Sequence, residues 1–146
     1  MSVKNYLSRL HAMDSEIESL KSNQEDLINQ TVRRAELSTM KVQSGGGKDV
    51  WSSIGDYALQ IQRKIESQLK AKLIISQQID RVKEDKCRQV LRYRYLIGAS
   101  WEQVAKLMHY DIRWVHRLHG RALIEFEKDC PNYEQEFEQA IKSHTT

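Results

Sequence analysis

Basic side chains concentrate in one short stretch of this 146-residue chain. Residues 86–121 hold eight lysines and arginines against two acidic residues, whereas residues 1–43 and 44–85 are close to neutral and residues 122–146 are acidic. The formal charge of the whole chain is only +3. A local excess of one sign is typical of phosphate binding, since a solvated helix face more often mixes both signs. The stretch therefore predicts a nucleic-acid partner, and we expect that partner to be double-stranded DNA.

Side chains at helical spacing within this stretch divide into a buried and an outward set. The spacing gives Val115, Leu118 and Ala122 to the core. The residues left outward, which we predict to contact base edges, are Ile112, Arg113, His116 and Arg117. Arginine can donate two hydrogen bonds to guanine, and isoleucine can contact a thymine methyl group. Phosphate contacts, which fix register without reading sequence, are predicted for Lys106, Arg121, Arg92 and Arg94.

Two capped helices joined by a tight turn would position these side chains. Ser100 and Gln103 form a Ser-x-x-Gln capping box, and Asp111 is a suitable cap for the next helix. The apolar pattern fits a helix-turn-helix with a small residue, Ala105, at the crossing of the helices; the other core positions are Val104, Met108, Tyr110, Val115 and Leu118. His109 stands where a left-handed backbone is expected, which histidine tolerates. An ordinary helical hairpin is the alternative, but it leaves the basic excess unexplained.

Other reactive residue types give weaker patterns. Cys87 and Cys130 belong to no Cys-x-x-Cys pair, so buried free thiols are expected. His116 and His119 would share a helix face, but no further ligand stands at a useful spacing, so we expect surface or DNA-facing histidines and no metal. Trp101 and Trp114 could stack on nucleic acid, although helix-start aromatics favour the core.

Nothing in the sequence indicates catalysis. The glycines before Lys48 do not form a nucleotide-binding loop, since Val42 and Asp49 occupy positions that the motif reserves for glycine and for serine or threonine. No Ser-His-Asp set or paired-carboxylate site stands out. We therefore predict a protein that is not an enzyme and needs no cofactor.

The first half of the chain predicts two long helices. An apolar heptad stripe, interrupted by Gln24, indicates a helix over about residues 2–41; its members are Val3, Tyr6, Leu10, Met13, Ile17, Leu20 and Leu27. Glycines break it at 44–48. A second helix is predicted over about residues 51–85, on a track through Ile54, Ala58, Ile61, Ile65, Ile75, Ile79 and Val82. We therefore predict an all-α protein whose long N-terminal helices fold as a hairpin or coiled coil, pair with another chain, and set a dimeric assembly state.

Three segments follow from these patterns. Residues 1–85 form the oligomerisation hairpin, residues 86–128 the helix-turn-helix domain, and residues 129–146 an acidic tail with a short amphipathic helix after Pro131. That helix packs on the domain or contacts a partner. The apolar runs are too short to span a bilayer, and the first residues do not look like a signal peptide, so a cytoplasmic protein with no membrane contact is expected.

The segments VLRYRY (90–95), SWEQVA (100–105) and VHRLHGRAL (115–123) together resemble region 4 of bacterial sigma factors. The chain is more similar still to phage-encoded sigma-like proteins, including the late transcription regulators of the ArpU type. The sigma resemblance covers about residues 86–128, and the phage resemblance extends over nearly the full length. It implies a recognition helix in the major groove, action in a bacterial host's cytoplasm, and host RNA polymerase as a further partner. The sigma domains that melt DNA are not expected in this chain.

Three functions are consistent with this sequence. A transcription regulator ranks first, the DNA-recognition subunit of a phage packaging machine, similar to a small terminase subunit, is the alternative, and a structural adaptor is third. A dimer favours regulation, whereas a ring of eight or more subunits favours packaging. An adaptor would show no salt-dependent DNA binding.

Overall fold

Helices form every regular element in the computed structural model, which describes residues 2–37 and 47–143. The predicted all-α class is confirmed for this part of the chain. The elements in chain order are α1 (Val3–Leu37), α2 (Gly47–Ile79), α3 (Asp85–Leu91), a π-helical turn (Arg92–Leu96), α4 (Trp101–Met108), α5 (Ile112–Asp129) and α6 (Tyr133–Ser143).

The two long helices differ from their predicted bounds at the ends. The predicted end of the first helix (38–41) and most of the glycine break (44–46) lie outside the described residues. Gly47 and Lys48 do not break a helix but form the start of α2. The predicted end of the second helix at 85 is wrong: α2 ends at Ile79, where the amide of Val82 donates to the Ile79 carbonyl at 3.0 Å, and the backbone is extended at Glu84.

Residues 13–67 form one compact unit, built from most of α1 and the first two-thirds of α2. Ile17 and Ile61 are buried in it. The Gln24 amide donates to the Ile54 carbonyl at 3.4 Å, and the Lys64 Nζ lies 2.7 Å from a Glu16 carboxylate oxygen. The earlier position on α1 thus contacts the later position on α2, and the later position on α1 contacts the earlier one on α2, as in antiparallel helices. The apolar stripe of α1 therefore packs against α2 of the same chain. Ala58, which was predicted on the matching stripe of α2, is exposed.

Residues 1–12 and 68–146 form the other unit, so the predicted boundary at residue 85 falls inside it. Two buried hydrogen bonds link distant residues in its core. The Tyr6 hydroxyl donates to Gln78 Oε1 at 2.5 Å, and the Gln78 amide donates to the Tyr133 carbonyl at 3.0 Å. The Tyr6 ring also lies 5.8 Å from that of Phe137, between centroids. The predicted C-terminal helix exists and, as α6, it contributes Tyr133 and Phe137 to this core.

The start of α3 is held by polar contacts from distant and local residues. The Lys83 amide donates to Asp129 at 3.0 Å, and the Arg88 guanidinium donates to the Val82 carbonyl at 2.7 Å and pairs with Asp85 at 2.6 Å. These contacts fix the turn between α2 and α3. Helix α3 then places Cys87, Val90 and Leu91 in the core that supports α5.

Candidate nucleic-acid interface

Helix α4 begins at a reciprocal cap. The Gln103 amide donates to the Ser100 hydroxyl at 3.2 Å, and the Ser100 amide donates to Gln103 Oε1 at 2.9 Å. The predicted capping box is confirmed on both sides. Since each half satisfies an amide that has no intrahelical partner, the first turn of α4 is fixed by the local sequence.

Three residues separate α4 from α5. His109 has φ 58° and ψ 40°, the left-handed backbone expected at this position. The Tyr110 amide donates to the Ala105 carbonyl at 3.0 Å, which closes the turn. Asp111 is the N-cap residue of α5 as predicted, but its carboxylate makes no capping hydrogen bond. The tight turn therefore depends on backbone conformation rather than on a second side-chain cap.

The core beneath the two helices holds a buried polar pair that the sequence analysis missed. Val104, Val115 and Ala122 are fully buried, and His119 beside them is only 7% exposed. Its Nε2 lies 2.6 Å from the Tyr95 hydroxyl. Burial lowers the pKa of His119 to about 4, helped by the positive charges of Lys4 and Arg94 and by His116. His119 therefore stays neutral at ordinary pH.

The expectation of a surface or DNA-facing His119 is thus wrong. The missed signal was helical spacing, because position 119 falls between Val115 and Ala122 on the same buried face. The π-helical turn supplies the partner, and burial raises the pKa of the Tyr95 phenol to about 12. The Tyr95 hydroxyl and the His119 ring are joined by one short hydrogen bond. Each polar group therefore has a partner, and burying either one without a partner would cost free energy.

The predicted base-contact residues share the outward side of α5. All four are exposed: Ile112, Arg113, His116 and Arg117. Ile112 is 37% exposed. They occupy the first two turns after the tight turn, so the structure brings them together on one surface. We call this surface the α5 face. Contact with bases stays a prediction.

The four predicted phosphate-contact residues are placed differently. Lys106 is exposed on α4. Arg121 is exposed but pairs with Glu84 at 2.9 Å, and Arg92 pairs with Asp80. Arg94 donates to the Ala99 carbonyl at 3.1 Å. Lys106 is thus the residue of this set best placed for a phosphate, because the three arginines already make contacts within the chain.

The two tryptophans next to these helices differ from each other. Trp101 is half-buried, and its ring centroid lies 4.4 Å from the Arg94 guanidinium carbon and 4.9 Å from the His116 ring centroid. Trp101 therefore contacts two of the predicted contact residues, Arg94 through a cation–π contact and His116 through a tilted ring contact. Trp114 is 50% exposed, so the expectation that it joins the core is wrong. It adds an aromatic side chain beside Arg113 and Arg117.

The remaining candidates for chemistry lie in the core. Cys87 and Cys130 are buried free thiols, as predicted, and burial raises the pKa of each to about 11, which keeps the thiolate form scarce. Among the histidines, cysteines and carboxylates that the structure describes, no group of three lies close enough together to hold a metal ion.

None of the helices in residues 2–37 and 47–143 has the length and apolar character that crossing a bilayer requires.

Comparison of the chain with protein-family models, with curated proteins and with solved structures finds no match. The geometry of the α5 face is therefore the observation on which a function can be proposed.

Proposed function

We propose that this protein binds double-stranded DNA sequence-specifically and regulates transcription, with α5 as the recognition helix in the major groove. The observation that carries the proposal is the α5 face itself. Two arginines one turn apart, Arg113 and Arg117, project from the start of a helix that a tight turn and a packed core hold in place. A guanidinium on such a helix suits the two acceptors of a guanine edge.

Charge supports the same proposal. Exposed basic side chains lie on both helices, Lys106 on α4 and Arg113 and Arg117 on α5, while the first turn of α6 is acidic. The resemblance to sigma region 4 favours this use of the helices, and the resemblance to phage regulators favours transcription control in a bacterial host. Contact with host RNA polymerase is part of this proposal.

The experiment starts from a site selected out of random DNA with the whole protein. On that site, Arg113→Ala or Arg117→Ala should each weaken binding by about 1–3 kcal/mol, with a smaller loss on unrelated DNA. Arg33→Ala on α1 removes the same charge outside the basic stretch and should bind like the parent. If no site is enriched, or if both α5 variants match the Arg33→Ala control, the proposal is wrong.

A further inference from the structure

A second apolar strip runs along α2 within the unit of residues 13–67. Its members are all exposed and flank the side that holds Ile54 and Ile61; they are the apolar Trp51, Ala58 and Leu59 together with Gly55 and Gln62. We call it the outer strip. Trp51 is 60% exposed and Leu59 is 46% exposed. A Cβ built on Gly55 would meet nothing within 4 Å, so this part of the strip is open.

We propose that the outer strip is the interface between two copies of this chain, paired antiparallel about a two-fold axis between Ala58 and Leu59. The stripe of α1 that the sequence offered for assembly is occupied inside the chain, whereas the residues of the outer strip are exposed. This proposal does not rest on DNA binding.

When two copies of the strip are placed antiparallel, small residues of one copy lie opposite larger residues of the other. Ala58 then lies opposite Leu59 of the second copy, and Gly55 opposite Gln62 of the second copy, so a small residue faces a larger one at these two steps. Trp51, further from the axis, lies opposite the exposed Glu66 of the second copy. A residue without a side chain lets the two helix backbones approach closely. The same residues in parallel would place glycine on glycine and leave a gap.

Charges at the edge of the strip favour the same orientation. Asp56 and Arg63 are seven residues apart, so they lie on one edge of α2. Both are exposed, and neither has an ion-pair partner within the described ranges. In the antiparallel pair, Asp56 of each copy lies within about 3 Å, along the helix axis, of the level of Arg63 of the other, which gives two symmetric ion pairs. In a parallel pair the two copies of this edge would lie on opposite sides of the interface and these charges would not meet, so the ion pairs favour the antiparallel partner.

The interface is small, because only Trp51, Ala58 and Leu59 add apolar area from each copy. Stable interfaces of standard size bury about 1,200–2,000 Å². We therefore expect a concentration-dependent dimer. A DNA site with two half-sites would strengthen it through effective concentration, without any new protein contact.

Reversal of the edge charges tests this pairing in the whole chain. Asp56→Arg or Arg63→Asp alone creates two like-charge contacts, so each should raise the dimer dissociation constant about tenfold in sedimentation equilibrium. The double variant should restore the parent's value, because the ion pairs re-form with opposite polarity. The Glu18→Arg and Lys21→Asp reversals on α1 are the matched controls and should leave the constant unchanged.

Cysteine cross-linking tests the orientation independently of charge. The two copies of position 58 lie next to each other at the two-fold axis. The Ala58→Cys variant should therefore form a disulfide-linked dimer under mild oxidation. Gly55→Cys should not, because the two copies of position 55 lie about 10 Å apart along antiparallel helices, beyond disulfide reach. A parent monomeric at every concentration, a ring, a charge-reversed double variant that is not rescued, or efficient cross-linking at Gly55→Cys would each overturn the proposal.

Discussion

Gly98 and Gly120 show how backbone conformation, rather than available space, decides what a glycine contributes. A Cβ at either position would meet nothing within 4 Å. Gly98 has φ +81°, which side chains rarely adopt, whereas Gly120 lies inside α5 in helical conformation. Gly120 therefore destabilises α5, and no packing contact within the described structure requires a glycine at this position.

We expect opposite effects from the same substitution at the two sites. Gly120→Ala should raise the free energy of unfolding by about 0.5–1 kcal/mol, because alanine loses less backbone entropy in a helix. Gly98→Ala should lower it by about 1–2 kcal/mol, because the left-handed backbone strains a residue with a Cβ. Urea denaturation of both variants measures the difference, and a stabilising Gly98→Ala would contradict the assigned turn.

Gly120 has a further consequence at the α5 face, because helical spacing places it on the same side as Arg113 and Arg117. A long side chain there would stand between α5 and DNA. Gly120→Leu should therefore keep the fold while it weakens binding to the selected DNA site by about tenfold, or about 1.4 kcal/mol. Ile124→Ala, one turn further along the same side, is the control for a change of apolar area. Unchanged affinity in Gly120→Leu would show that DNA does not approach this part of α5.

Lys106 tests the electrostatic part of the interface. Lys106→Ala should weaken binding to all DNA sequences evenly and lower the slope of log affinity against log salt by about one, as loss of one phosphate contact does. Arg121→Ala is the informative comparison, since Arg121 already pairs with Glu84. An unchanged salt slope in Lys106→Ala would exclude it as a phosphate contact.

At the scale of the helices, local signals in the sequence predicted well and distant contacts did not. The Ser100–Gln103 cap and the left-handed His109 follow from neighbouring residues, so spacing alone identified both. The end of α2 at Ile79 could not be predicted in this way, because the turn that follows it is held by Asp129, which lies 46 residues after its partner Lys83. His119 was missed because a polar residue type outweighed an apolar spacing. Its hydrogen-bond partner, the buried Tyr95 hydroxyl, lies in a π-helical turn that no sequence pattern predicted.

The buried His119 should make stability fall in acid. Burial lowers its pKa to about 4, below the model-peptide value of about 6.5. The unfolded chain therefore binds the proton more tightly, so the contribution to stability is complete above pH 6.5 and is lost as the pH falls through 4. The full loss from this residue is about 3 kcal/mol.

Denaturation midpoints measured between pH 7 and pH 4 test this effect. His119→Gln keeps an acceptor for the Tyr95 hydroxyl and should flatten the acid dependence, although the variant starts from lower stability. His116→Gln, at an exposed position of the same helix, should leave the pH dependence as in the parent. If His116→Gln flattened it and His119→Gln did not, the assignment to the buried pair would be wrong.

At the scale of the whole chain, the DNA-binding candidate region depends on residues from both ends of the sequence. Tyr6, Leu7 and Leu10 are fully buried in the same unit as Ile75 and Val82. Tyr6 lies against Phe126, Tyr133 and Phe137, with ring centroids 4.6–6.3 Å apart. Sequence patterns had placed these early residues in an oligomerisation segment, because a heptad stripe gives no information about where its partner lies in the chain.

A fragment that begins at Asp85 should therefore fail to fold, although it contains every predicted DNA-contact residue. It lacks Tyr6, Leu10, Ile75 and Ile79, and loss of a single large buried side chain already costs about 2–5 kcal/mol against a total stability of about 5–15 kcal/mol. A chain in which residues 13–67 are replaced by a flexible glycine-serine linker keeps the whole unit and should stay folded. Circular dichroism and amide chemical-shift dispersion distinguish the two proteins. A well-folded fragment from Asp85 onward would show that α5 and its face are supported by residues 85–146 alone, and that the N-terminal contacts with Phe126 and Phe137 add little to the fold.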